Sequence, residues 1–178
     1  VHMRSDVPVG VTLSGGLDSS SILCAAARER ARAGVTDPLL AFCYFDPKFD
    51  ERRYIENTLA QTGARLVELQ MSPSQLWDSL PRVLAFQDEP VHSMTALVGF
   101  HLYGLAASHG VKVVLCGQGA DETMAGYGSY FEDYWYQLVR GGSIGTAARE
   151  IRAHDMYSVV AREYRSTAAL DALAALAG

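Results

Sequence analysis

Short apolar runs alternate with longer stretches of helix-forming residues, and this alternation constrains the fold more than any other feature of the chain. The runs are Val7–Leu13, Leu39–Phe45, Ala64–Leu69 and Val111–Leu115. They are rich in β-branched and aromatic residues, and each is predicted to be a strand. Between them, Ser19–Ala33 is predicted to be a helix closed by Gly34. Asp50 caps a second through Tyr54, Ile55 and Leu59, closed by Gly63. Ser72 and Pro73 open a third through Trp77, Leu80, Val83 and Leu84, and Thr95–Ser108 forms a fourth, ended at Gly110. Strands of this kind joined by helices imply an α/β fold, a parallel sheet with helices on both faces. From Ser129 onward no further strand is expected. Gly141-Gly142 breaks a helical C-terminal tail, and Leu170, Leu173 and Leu176 suggest a short amphipathic end.

Composition narrows the function. The chain has 178 residues, 49% of them hydrophobic, enough for a core without disulfides or metals. No apolar run approaches the roughly eighteen residues of a membrane span, so no membrane partner is expected. The opening lacks a signal peptide's basic and apolar regions, and Val1-His2-Met3 resembles the residue of a tag. A net charge of -5 argues against nucleic acid as a partner. Cys24, Cys43 and Cys116 are far apart and form no CxxC pair. Buried free thiols in a reducing cytoplasm are expected.

The first strand runs into Ser14-Gly15-Gly16-Leu17-Asp18-Ser19-Ser20 at the start of a helix. Such a junction binds anions: glycines admit a phosphate close to the backbone, and first-turn N–H groups have no internal partner. The hydroxyls of Ser14, Ser19 and Ser20 add donors. Asp18 would repel phosphates unless a divalent cation, ordinarily Mg²⁺, stands between them. The spacing fits neither GxxxxGK[ST] nor GxGxxG, and the absent P-loop lysine argues against γ-phosphoryl transfer.

The fourth strand runs into Cys116-Gly117-Gln118-Gly119-Ala120-Asp121-Glu122, followed by Ala125-Gly126-Tyr127. Ligands of open α/β sheets lie outside the carboxyl ends of the strands, so this loop could face the first and bring Asp121 to the metal of Asp18. The plainer reading of Asp121-Glu122 is a helix N-terminus decorated with favourable acids.

Together the two motifs resemble those of the asparagine synthetase family. The first is similar to the SGGxDS loop of PP-loop ATP pyrophosphatases, which cleave ATP between the α- and β-phosphates. The second is similar to the SGxGxDExxxGY motif of asparagine synthetases, β-lactam synthetases and lasso-peptide cyclases. The resemblance implies a HUP-like (Rossmann-like) sheet and an ATP pyrophosphatase domain over 4–136, with 137–178 a truncated helical extension. It implies that Asp18 and Asp121 coordinate magnesium, that Ser14, Gly15, Gly16, Ser19 and Ser20 hold the pyrophosphate, and that Gly117 approaches the nucleotide. Gln118 and Asp121 are the candidate catalytic residues.

The implied reaction is ATP-dependent amide formation through an acyl-adenylate, with aspartate as the first expected carboxylate. A related cyclase, a tRNA-thiolating PP-loop enzyme and an ATP-binding fragment without complete machinery are the alternatives. Scattered cysteines and negative charge count against thiolation. Gln118 stands where asparagine synthetases carry glutamate, and it cannot act as a base. Cys116 replaces a common serine.

Asp88-Glu89-Pro90 resembles the family's DEP element and reads equally as a rim of the site or as a turn. His92 beside it reads as a substrate contact or, more plainly, as a solvated loop residue. Asp50-Glu51-Arg52 resembles the family's DEx element, with a helix cap the plainer reading. The backbone of Cys43–Phe45 corresponds to the adenine-contacting strand. Neither the glutaminase domain of glutamine-dependent relatives nor its N-terminal cysteine is found, and no match to the downstream catalytic lysine appears after Tyr136. A glutaminase domain elsewhere in a longer chain and a homodimer are expected.

Overall fold

The computed structural model describes residues 3, 5–45, 51–91 and 93–153. Val1, His2, Asp50, His92, His154 and the leucines at 170, 173 and 176 lie outside them. The chain divides into two compact units, Val1–Gln118 and Gly119–Gly178.

The first unit holds a four-stranded sheet. β1 (Val9–Thr12), β2 (Leu40–Cys43), β3 (Arg65–Glu68) and β4 (Val113–Leu115) fall inside the four predicted runs. All neighbours are parallel, in the order β3-β2-β1-β4. Gly10 pairs with Leu40 on one side and with Val114 on the other. The connectivity leaves β1 toward β2 and β3, then returns to the opposite side of β1 as β4. The gap between β1 and β4 is therefore the switch point, where loops diverge and leave a crevice at the carboxyl ends.

Both faces of the two central strands, β1 and β2, are buried. Val11, Leu13, Ala41 and Cys43 point to one side and pack with Leu23 and Ala26 of α1 (Leu17–Arg32) and Ile55 of α2 (Arg52–Thr62). Phe42 points to the other side and packs with Ala106, Leu102 and Leu105 of α5 (Met94–Ser108) and with Val111. The change of face between Ala41, Phe42 and Cys43 is the two-residue period of a strand, with apolar residues on both sides because both sides are covered. Gly63 ends α2 in the left-handed conformation at φ 65°.

The third predicted helix is two. α3 (Pro73–Asp78) opens with a capping box, in which the Ser72 hydroxyl accepts from Gln75 N–H and the Gln75 side chain accepts from Ser72 N–H. It stops at Ser79, and α4 (Leu80–Gln87) begins with Pro81 in its first turn. Proline cannot donate the bond that would continue α3, so the apolar periodicity spans a break. The cysteines also differ from expectation. Cys43 is buried and Cys116 partly so, but Cys24 is exposed on α1. Burial, with Glu68 and Glu51 adding repulsion, pushes the Cys43 thiol up to about 12.

In the second unit, α6 (Ala120–Met124), α7 (Gly128–Arg140) and α8 (Ile144–Ala153) form the helical continuation. Gly142, at φ 76°, ends α7 where the glycine pair was expected to break the tail. Trp135 and Ala147 are its buried centres. Among the described residues no helix is long and apolar enough to cross a membrane.

Candidate nucleotide site

The loop after β1 is built around one buried hydroxyl. Ser19 is 7% exposed, and its Oγ accepts from Ser14 N–H at 3.1 Å. The same Oγ lies 3.0 Å from the Ser14 carbonyl and 2.9 Å from the Ser14 Oγ. Gly16 N–H donates to Ser14 Oγ at 3.3 Å. Ser19, the first helical turn and the end of the strand are thus tied into one rigid loop. The Ser20 hydroxyl accepts from Thr58 Oγ1 of α2 at 3.4 Å. The three hydroxyls expected to face an anion are therefore partly committed within the protein, and Ser19 is turned inward.

The helix that follows has no side-chain cap. Its N-cap is Gly16, in an extended conformation, and no side chain bonds to the first turn. A 16-residue helix with an open N-terminus and glycines before it presents backbone N–H groups and the positive end of its dipole together. Asp18 in that first turn is partly exposed, as is Gly15; Gly16 and Leu17 are exposed. Gly15 N–H donates to the Glu51 carboxylate at 3.1 Å.

The loop after β4 reaches the first loop at Gly117. A Cβ on Gly117 would stand 3.1 Å from Asp18 Cβ and 3.1 Å from Ser19 N. The glycine is needed for close approach of the two loops across the switch point, which Thr12 Oγ1 also bridges by donating to the Leu115 carbonyl at 3.4 Å. Gln118 is exposed on the turn that follows.

Within the second unit, Gly119 at φ 93° leads into α6, whose first turn carries Asp121 and Glu122. The plainer reading of these acids, a helix N-terminus, is therefore met in the structure. Ala125 ends α6 in the left-handed region at φ 56°, a conformation rare for a residue with a side chain. It folds Gly126 back over α6, where Gly126 N–H donates to the Asp121 carbonyl at 3.0 Å. A Cβ at Gly126 would lie 2.8 Å from Asp121 Cγ, so this glycine makes the seat of the Asp121 side chain.

Tyr127 Oη donates to Glu122 Oε1 at 2.8 Å. That bond holds the Glu122 carboxyl below its ordinary range and raises the Tyr127 phenol. Sequence reading did not find this pair. Its only signal was the five-residue separation in a motif read for its glycine.

The remaining expected residues are placed as follows. Asp88 ends α4 at φ 56°, exposed, and Glu89 and Pro90 are exposed in the turn before α5. Glu51 is the N-cap of α2 through its backbone carbonyl, with no side-chain cap bond. The Cys43 carbonyl is taken by Leu69 N–H at 2.8 Å, and the Arg52 guanidinium lies 3.7 Å from the centre of the Phe45 ring. His101 Nε2 lies 2.8 Å from Ser79 Oγ, and burial followed by Arg82 lowers its pKa. Among the described residues no group of three or more His, Cys, Asp or Glu gathers as a metal centre.

A parallel sheet with a glycine-lined, uncapped helix N-terminus at its switch point, flanked by a second glycine loop, defines a PP-loop α/β domain. Residues 1–176 match the asparagine synthase family, and the chain belongs to it. The match runs past Tyr136, where the motif resemblance ends and which lies inside α7.

The chain is 36% identical over 132 residues to glutamine-hydrolysing asparagine synthetase 1 of Bacillus subtilis, covering 74% of this chain and 20% of the relative. It is 31% identical over 134 residues to glutamine-hydrolysing asparagine synthetase 2 of Oryza sativa subsp. japonica, covering 71% and 22%. It is 26% identical over 144 residues to the amidase chyE of Penicillium rubens, covering 75% and 21%. The chain thus spans about a fifth of the length of these curated relatives.

Proposed function

We propose that this chain is the nucleotide-binding part of an ATP-dependent amide-forming ligase. The observation that carries the reading is the uncapped N-terminus of α1, preceded by two glycines, at the β1–β4 switch point. The backbone of Gly15 and Gly16 and the hydroxyls of Ser14 and Ser20 orient the β- and γ-phosphates of ATP. Ser19 holds the loop in shape. Gly117 lets the second loop close on the first.

The carboxylates of Asp18 and Asp121 are donors of the kind magnesium takes, and the family resemblance is what assigns both to one ion. One or two carboxylates, completed by substrate phosphates and water, are the oxygen donors this ion prefers. When bound, the ion supplies positive charge against the departing pyrophosphate. Asp121 is kept in place by the seat at Gly126, and Asp18 by the first turn of α1.

The substrate carboxylate attacks the α-phosphorus, pyrophosphate leaves, and an amine displaces AMP from the acyl-adenylate. Aspartate and ammonia are the first candidates, with ammonia delivered by a glutaminase domain elsewhere in a longer protein. A homodimer in the cytoplasm is the expected setting. Gln118, a neutral amide, orients a reacting group by hydrogen bonds and accepts no proton. That neutrality favours a second reading, in which the activated acid is another carboxylate, as in a cyclase of the same family.

The test is calorimetric titration of ATP with Mg²⁺ into the protein and into an Asp18→Ala, Asp121→Ala double variant. Metal-dependent binding in the wild type, weakened about a hundredfold or more in the variant, is the expected outcome, since charge-assisted contacts dominate such sites. Folded wild-type protein that takes up no ATP would refute the reading. Pyrophosphate release with aspartate, then with a panel of other carboxylates, separates the two readings of the acid.

A further inference from the structure

Glu51 stands where the fold gives it a choice. As the N-cap of α2, its side chain could bond that helix's first turn, yet it makes no such bond. Its carboxylate instead accepts from Gly15 N–H at 3.1 Å, 36 residues away in sequence. The contact is close along its length: a Cβ on Gly15 would lie 2.6 Å from Glu51 Cβ and 3.2 Å from the Glu51 carbonyl oxygen. The carboxylate therefore occupies an N–H group of the loop that precedes the uncapped helix α1. An N–H group makes one strong bond at a time, and two anions at one donor repel each other.

We infer that Glu51 is a built-in competitor for the phosphate-binding loop: its carboxylate fills the Gly15 anion position in the free protein and must swing away before pyrophosphate or ATP enters. The inference rests on the proposed nucleotide site and adds a step to it. A carboxylate there satisfies a donor that would otherwise be open to solvent. It also sets a threshold, because only a ligand of higher charge than one carboxylate displaces it. Polyphosphate passes that threshold, whereas a free carboxylate of single charge does not displace the tethered Glu51. The device keeps the loop organised and selects for a polyanion. Arg52, the next residue, is directed away over the Phe45 ring and lies 3.9 Å from Glu68.

The experiment uses inorganic pyrophosphate with Mg²⁺ as the probe, titrated by calorimetry into the wild-type chain, Glu51→Ala and Glu51→Gln. Removing the competing anion should tighten pyrophosphate binding by roughly tenfold in Glu51→Ala, the scale of one charge-assisted hydrogen bond. Glu51→Gln, which keeps an oxygen acceptor without the charge, should fall between that variant and the wild type. In the free protein, the Gly15 amide resonance should move on Glu51→Gln substitution. In the wild type it should move on pyrophosphate addition.

Binding that is unchanged or weaker in both variants would overturn the inference and leave Glu51 a latch or a metal ligand. A Gly15 resonance indifferent to the Glu51→Gln change would overturn it as well. Absence of pyrophosphate binding by wild type and variants alike would refute the nucleotide site itself. Wild-type binding with no gain in the variants refutes only the competitor.

Discussion

The two glycine loops are built on opposite principles. In Ser14–Ser20 one side chain, Ser19, is turned into the protein, its hydroxyl binds the Ser14 backbone, and the N-terminal backbone of α1 is left uncapped. In Gly119–Tyr127 the backbone is folded tight, with Gly119 and Ala125 both in the left-handed region, and the acidic side chains are on offer. The first loop is a fixed set of donors and the second a fixed set of charges. Each loop is held by local means within its own unit.

The comparison breaks most sharply at Ser19. Ser19→Ala should leave Ser14 N–H without its partner in a part-buried setting and cost about 1–3 kcal/mol. Thermal unfolding should show the loss, and pyrophosphate binding should weaken as the loop loosens. An unchanged melting temperature would mean that the hydroxyl is not the centre of the loop.

Gly126→Ala tests the second loop in the opposite sense. The added methyl should push the Asp121 carboxylate from its seat and raise the magnesium needed for half-maximal ATP binding by roughly tenfold, as expected for weakening one charged contact. Stability should change less than for Ser19→Ala, because the group is near the surface. Loss of folding without a change in the metal requirement would reverse the contrast.

The smallest effect is expected from Tyr127→Phe. Without the phenol's hydrogen bond, Glu122 should titrate closer to an ordinary glutamate. Folding lowers the Glu122 pKa, so the pair's contribution is present above the unfolded value and fades as the pH falls through the folded one. Carboxyl titration by NMR reads the shift directly, and an unchanged Glu122 would show that the bond does not hold in solution.

Much of this arrangement was legible in the chain. The four strands were marked by apolar runs, and their parallel pairing followed from the helices between them, whereas the strand order did not. Both loops were found because glycines, hydroxyls and acids cluster at strand ends, where little else explains them. What escaped has a common cause. The break at Ser79 depends on Pro81 overriding an apolar period that continues through it. Cys24 was expected inside because its neighbours are apolar, but it lies on the outer side of a helix whose inner side is Leu23 and Ala26. Glu51 and Gly15 are local features in sequence and meet only through the sheet that brings β1 and α2 together. Side-chain destinations of that kind are set by tertiary packing, which no short spacing encodes.

The strand order has a consequence for how the molecule comes together. Pairing β1 with β2 closes a short excursion of chain, whereas the bridge from Thr12 to Leu115 spans 103 residues. Longer loops carry a larger closure entropy, so the β1–β4 edge is the costliest seam in the sheet to join. The loops on either side of that seam are Ser14–Ser20 and the turn at Gly117. Anything gripped by both acts as a clasp on the longest loop of the domain, fastening the chain at the place where its own entropy pulls hardest to open it.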